Sequence, residues 1–139
     1  MDQANHLILL ADDDADDRLL MELSFKTLEW SHKVKMVGSG EEALDYLDAL
    51  PPHFFPALII LDYHMPRLNG AATLKQIKSR HLYKDIPVVV YSTNMSVMLK
   101  EQLMILGAFH CCHKPAQLQE TLEMVKMFKQ MAENNCFTA

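Results

Sequence analysis

The chain has 139 residues, half of them hydrophobic, and a formal net charge of −5. That length suits one domain with its own apolar core, and the acidic balance argues against sequence-independent nucleic-acid binding, which needs clustered Lys and Arg. Three cysteines, two of them adjacent at Cys111 and Cys112, fit a reducing compartment better than a disulfide framework.

The first six residues are polar and lack the basic and apolar regions of a signal peptide. No apolar run approaches the roughly 18 residues of a membrane span. The expectation is a cytoplasmic protein without a membrane or direct nucleic-acid partner. A single domain is expected over 1–139, with its core at about 6–133 and a short polar tail at 134–139.

Short apolar runs alternate with longer helical patterns, as in a parallel sheet flanked by helices. The first strand is expected at 7–11, apolar at successive positions because both faces are covered. A helix follows over about 16–30, opened by Asp16 and Asp17, acids that suit a helix start. The second strand is expected at 33–37. Ser39 and Glu42 form a capping-box pattern at the start of the second helix, which ends before Pro51-Pro52.

The third strand, 57–61, reads as fully buried, and the third helix runs from Asn69-Gly70 to about 81. The fourth strand, 87–91, has a β-branched Val-Val-Val centre. The fourth helix, about 95–106, stops at Gly107, a favoured residue just past a helix end. The fifth strand is expected at 109–113 and the fifth helix at about 116–133. Five strand–helix pairs make an open α/β sheet, whose ligands should sit outside the carboxyl ends of the strands.

Reactive side chains fall at those ends. Asp12-Asp13-Asp14 follows the first strand and Asp62 the third. Ser92-Thr93 follows the fourth and Lys114-Pro115 the fifth. Crowded carboxylates need a cation or a proton. Oxygen donors without His or Cys point to Mg²⁺, which takes one or two carboxylates together with phosphate and water. With Lys114 to balance negative charge and Ser92 to donate a hydrogen bond, the set suits phosphoryl transfer.

Other patterns carry less. Asp12, Asp14 and Asp16 imitate the start of a Ca²⁺ loop, but Asp17 stands where Gly is needed and Leu23 where Glu is needed. His110 and His113 bracket the cysteine pair, yet alternate strand residues face opposite sides, so the four cannot share an ion. The fourth helix is apolar nearly all round, at Val97, Met98, Leu99, Leu103, Met104, Ile105 and Leu106. Those residues pack on the sheet, or some of them form an adaptable Met-rich partner surface.

The segments Leu7-Ile-Leu-Leu-Ala-Asp-Asp-Asp14, Leu58-Ile-Ile-Leu-Asp-Tyr-His-Met-Pro-Arg-Leu-Asn-Gly70, Pro87-Val-Val-Val-Tyr-Ser-Thr93 and His113-Lys-Pro115 resemble, in order and spacing, the receiver domain of two-component response regulators. The resemblance implies a flavodoxin-like doubly wound sheet of strand order 2-1-3-4-5. It implies that Asp62 takes a phosphoryl group from a sensor histidine kinase or phosphotransfer protein, and that the module then signals through a downstream protein. Asp13 and Asp62 would ligate Mg²⁺ directly, Asp12 largely through water, and the His64 backbone carbonyl would add a ligand. Lys114, Ser92 and Thr93 would bind the oxygens of the phosphoryl group, and His64 and Asn94 would tune its loss. Lys114-Pro115 resembles the family's cis peptide, and a homodimer through the fourth helix, fifth strand and fifth helix is possible.

One departure stands out. Cys111 occupies the place of the family's switch aromatic, and a thiol cannot make that ring's movement in concert with Ser92. A scaffold that works without phosphorylation is therefore one alternative. A phosphatase resembling the haloacid dehalogenases, using Asp12-x-Asp14, is another. The latter lacks a late acidic metal ligand, since no Asp follows Asp85.

Overall fold

A computed structural model describes residues 6–135. Five strands, β1 (Ile8–Ala11), β2 (Val34–Val37), β3 (Leu58–Asp62), β4 (Val88–Ser92) and β5 (His110–His113), form one parallel sheet of order β2-β1-β3-β4-β5. They alternate with α1 (Ala15–Thr27), α2 (Gly40–Ala49), α3 (Gly70–Ser79), α4 (Val97–Ile105) and α5 (Leu118–Asn134). The expected architecture and strand order are both present. No helix among the described residues is long and apolar enough to cross a membrane.

The three central strands are buried along their whole length, which is why their sequences are apolar without alternation. The outer strands β2 and β5 are only partly buried and carry Lys35, His110 and His113. Alternate strand residues feed two cores. Leu9, Ile59, Leu61, Val88 and Val90 meet α2, α3 and α4 through Leu47, Leu74, Ile77 and Leu103. Ile8, Leu10, Ile60, Val89 and Tyr91 meet α1 and α5 through Met21, Phe25, Val125 and Phe128. Cys111 belongs to the first core and Cys112 packs against the second, as opposite pointing along a strand requires. Cys136 lies outside the described residues.

Helix boundaries depart from expectation where capping outweighs apolar pattern. α1 ends at Thr27, three residues short of Trp30, because Glu29 adopts the left-handed conformation at φ 57°. The Trp30 N–H bonds the Phe25 carbonyl at 2.9 Å and the Glu29 N–H the Lys26 carbonyl at 2.9 Å. Trp30 stacks on Phe25, 6.5 Å between ring centroids. This is a Schellman ending with its hydrophobic contact, built on a non-glycine residue. Glu29→Gly is therefore expected to stabilise the fold by up to about 1 kcal/mol, read as a higher urea midpoint at unchanged slope.

Gly107, at φ 109°, closes α4 in the same way. Its N–H bonds the Met104 carbonyl and the Ala108 N–H that of Leu103. α4 itself starts at Val97, later than 95, capped by the Ser96 hydroxyl, which accepts the Leu99 N–H. α5 likewise starts later, at Leu118. Ser39 caps α2 as expected, but the Glu42 carboxylate returns to the Gly38 N–H and not to that of Ser39, so the capping box is displaced by one residue.

Candidate functional site at the carboxyl edge of the sheet

Parallel pairing brings the ends of β1, β3, β4 and β5 to one edge. Asp62 lies opposite Tyr91 in the β3–β4 register, and the Asp12 N–H bonds the Val37 carbonyl beyond the end of β1. By strand parity Asp12, Asp62 and Tyr91 all lie on the α1/α5 side of the sheet. An open cleft of about 640 Å³ lies there, lined by Asp13, Asp14, Asp17, Asp62, His64, Thr93 and Lys114 among others.

Lys114 is the hub. Its Nζ stands 3.0 Å from Asp62 Oδ2, 3.1 Å from Asp12 Oδ2 and 2.7 Å from Asp17 Oδ2. Asp12 and Asp62 are buried, whereas Asp13 is exposed to the cleft. One ammonium cannot neutralise this many acids. Burial, and then the charge of Asp12, push the Asp62 carboxyl up to about 7 against the pull of Lys114. Burial alone would lower the Lys114 ammonium, but its contacts with Asp17, Asp12 and Asp62 raise it overall. Carboxylate oxygens of Asp12, Asp13 and Asp62 fall within 4.8 Å of one another, the only such cluster among the described residues. Excess negative charge on hard oxygen donors is the environment that suits Mg²⁺.

The loop between β3 and α3 is held tightly. The His64 N–H bonds Asp62 Oδ1 at 3.2 Å and the Gly70 N–H bonds the Tyr63 carbonyl at 2.8 Å. A Cβ on Gly70 would lie 2.7 Å from both the Asp62 carbonyl oxygen and Tyr63 Cα, which are backbone atoms that cannot give way. That approach explains why glycine ends the Asp62-to-Gly70 motif. Gly70→Ala is expected to cost about 1–3 kcal/mol in chemical denaturation, by forcing β3 and α3 apart beneath Asp62.

The remaining expected residues are placed as follows. Thr93 is exposed at the cleft, and Asn94 is exposed beyond it. Ser92 is buried, its Oγ accepting the Asn94 N–H at 3.2 Å. Cys111 is buried in the α4-side core, its Sγ 4.0 Å from Met104 Sδ, and burial raises its thiol. The Lys114–Pro115 bond is trans, since there is no cis peptide among the described residues. This corrects the cis expectation and agrees with the general balance of X-Pro bonds, which favours trans.

Two contacts were missed. Asp17, expected to serve only as a helix-start acid, is an ion-pair partner of Lys114. Tyr91 donates its hydroxyl hydrogen to Asp12 Oδ2 at 2.5 Å. Asp14 is the N-cap of α1, accepting the Asp16 and Asp17 N–H groups, and Arg18 clasps the Asp12 carbonyl at 2.6 Å. Asp12 is fully buried and does not line the cleft, whereas Asp62 does, so Asp12 is poorly placed as the nucleophile of a dehalogenase-like phosphatase.

Solved and curated proteins share this fold. The phosphorylated cyanobacterial phytochrome response regulator RcpA superposes with a TM-score of 0.81 at 29% identity, over 95% of this chain and 97% of that one. A response regulator in its Mn²⁺-bound form gives a TM-score of 0.79 at 26% identity, over 95% of this chain and 98% of that one. A two-component response regulator of Arabidopsis thaliana is 32% identical over 133 residues, 91% of this chain and 64% of that protein. A protein-glutamate methylesterase/protein-glutamine glutaminase of Trichodesmium erythraeum is 34% identical over 80% of this chain, which matches 30% of its length. The chain thus spans less than two thirds of these curated relatives. The family model of the response regulator receiver domain matches residues 8–126, and the chain belongs to that family of two-component signalling domains.

Proposed function

We propose that the protein is a phosphoacceptor in which the Asp62 carboxylate attacks the phosphorus of a phosphohistidine on a sensor kinase or phosphotransfer protein. The new bond joins an Asp62 oxygen to phosphorus, the phosphorus–nitrogen bond breaks with its electron pair kept by the ring nitrogen, and the histidine leaves as a neutral imidazole whose other nitrogen already carries a proton. The observation that carries this reading is the convergence of Asp12, Asp13 and Asp62 at one cleft with the Lys114 ammonium 3.0 Å from Asp62.

Asp12, Asp13 and Asp62, with the His64 backbone carbonyl, would hold Mg²⁺. When bound, it would neutralise the crowded oxygens and polarise the incoming phosphoryl group. Lys114 then exchanges its contact with Asp62 for one with a phosphoryl oxygen, while remaining anchored to Asp17. Thr93, at the mouth of the cleft, is placed to meet the same group, and the Ser92 hydroxyl reaches it only by leaving the Asn94 amide. His64 and Asn94, both exposed near the cleft, govern access of water to the product. In this reading the chain modifies itself and signals by protein contacts.

Incubation with Mg²⁺ and a small phosphodonor, followed by intact mass measurement, tests the proposal. Wild type should gain one phosphoryl group only with the metal, and Asp62→Asn none. A wild type that folds and binds Mg²⁺ but gains nothing would favour the scaffold alternative.

The pH dependence follows from Asp62. A carboxyl at about 7 in the fold and 3.8 ordinarily takes up a proton on folding between those values. Its contribution to the stability of the metal-free fold is thus fully present below about pH 4 and is lost as pH rises through 7. Mg²⁺ competes with that proton, so the metal should raise the melting temperature more at pH 8 than at pH 5. Equal shifts would contradict the assignment.

Signalling is proposed to use the α4–β5–α5 face, by a protein partner or a second copy of the chain. Only Leu103 of α4 is buried, while Val97, Met98 and Ile105 are 76%, 69% and 84% exposed and Phe109 beside them is half exposed. Large apolar side chains exposed on one helix and at the start of the next strand suit an interaction surface. Met98→Glu with Ile105→Glu, both largely exposed, should leave the denaturation midpoint nearly unchanged while abolishing partner binding or self-association. Retained association would remove the face from the account.

A further inference from the structure

We propose that Tyr91 is a positioning residue of the metal site, its hydroxyl fixing the Asp12 carboxylate so that Oδ1 faces the cation and its ring seating the Lys114 ammonium. This rests on the reading of Asp12, Asp13 and Asp62 as a Mg²⁺ site and adds to it a residue from within a hydrophobic strand.

The case begins with the lone pairs of Asp12. The carboxylate is fully buried, so each acceptor position must find its partner inside the protein. Oδ2 accepts the Tyr91 hydroxyl at 2.5 Å and faces the Lys114 ammonium 3.1 Å away as an ion pair, while the hydrogen bonds of that ammonium go to Asp17 and Asp62. Oδ1 accepts only the Asp14 N–H, at 3.0 Å. Tyr91 thus holds Oδ2 toward the Lys114 side, and Oδ1, with a single amide donor, keeps a lone pair for a cation. The 2.5 Å separation is in the range of a charge-assisted O–H···O⁻ bond, roughly twice as strong as a neutral one.

Tyr91 is itself held on two sides. It is 1% exposed and packed among the α1/α5-side core residues, and its carbonyl accepts at 2.9 Å the N–H of Tyr63, the residue next to Asp62. Lys114 Nζ lies 5.1 Å from the centroid of its ring, within cation–π range. One side chain thus touches both the acid and the base that flank the acceptor. Leu, Val or Phe at this position would fill the same core without the hydroxyl, leaving Lys114 as the only partner of Oδ2.

Calorimetric titration of Mg²⁺ without phosphodonor tests this in wild type, Tyr91→Phe, Asp12→Asn and the double variant, each checked for a cooperative melt. Tyr91→Phe should weaken Mg²⁺ binding about tenfold. In the Asp12→Asn background the same change should do almost nothing, because Tyr91 acts through Asp12. At limiting Mg²⁺, phosphorylation of Tyr91→Phe should lag and then recover as the metal is raised. Unchanged affinity in Tyr91→Phe, or an equal loss in both backgrounds, would overturn the proposal while leaving the phosphoacceptor reading intact. Absence of Mg²⁺ binding in wild type would overturn the metal site and this proposal together. Normal binding with the expected coupling but no phosphoryl transfer would support the role of Tyr91 and count against the phosphoacceptor reading alone.

Discussion

Lys114→Met is expected to destabilise the metal-free protein by about 3 kcal/mol at neutral pH, because it strips the buried Asp12 carboxylate of its counter-charge and leaves Asp62 to hold a proton beside it. Methionine keeps the length and apolar stem of the side chain, so the loss isolates the charge. The same substitution should tighten Mg²⁺ binding by about tenfold, since a competing positive charge leaves the site. Urea unfolding with and without Mg²⁺ reads both effects. The metal should restore most of the lost midpoint in the variant and add less to wild type. Equal midpoints without metal would show that Lys114 is a solvated lysine and not the counter-charge of the cleft.

The second large effect is purely structural. Phe128 on α5 is fully buried against Phe25, Ile60 and Val89. Phe128→Ala should cost about 3–5 kcal/mol, the sum of lost burial and the cavity left behind. The carboxyl edge of the sheet lies at another end of that core, so surviving folded protein should bind Mg²⁺ with wild-type affinity. A loss below 1 kcal/mol would mean that α5 packs more loosely than the geometry indicates.

Much of this was legible because two signals coincided. Uninterrupted apolar runs mark β1, β3 and β4, and an acid, an amine or hydroxyls stand where each relevant run stops. Parallel pairing must then bring those residues to one edge, so Asp12, Asp13, Asp62, Thr93 and Lys114 could be gathered without coordinates. Tyr91 escaped because an aromatic inside Val-Val-Val-Tyr reads as core, which it also is. The missed signal was parity: Tyr91 pairs with Asp62 across β3–β4, so its ring must share the acceptor's face of the sheet.

Asp17 escaped for a similar reason. The first turn of a helix suits an acid whatever it touches, so its position gave no hint of an ion pair reaching to the end of β5. Composition left α4 open between packing and a partner surface, because a helix buries only one stripe whatever its other residues are, and only Leu103 is fully buried. The end of α1 was hidden because a glutamate holds the left-handed position that sequence reasoning reserves for glycine.

The central claim, that Asp62 itself carries the phosphoryl group, is tested most directly by trapping the product. After incubation with Mg²⁺ and a small phosphodonor, borohydride reduction should cleave an acyl phosphate and leave homoserine at the modified position. Peptide mass mapping should then find the conversion at position 62, only in samples that received both metal and donor. Conversion at another acid of the cleft, or none in protein that has demonstrably gained a phosphoryl group, would contradict the account.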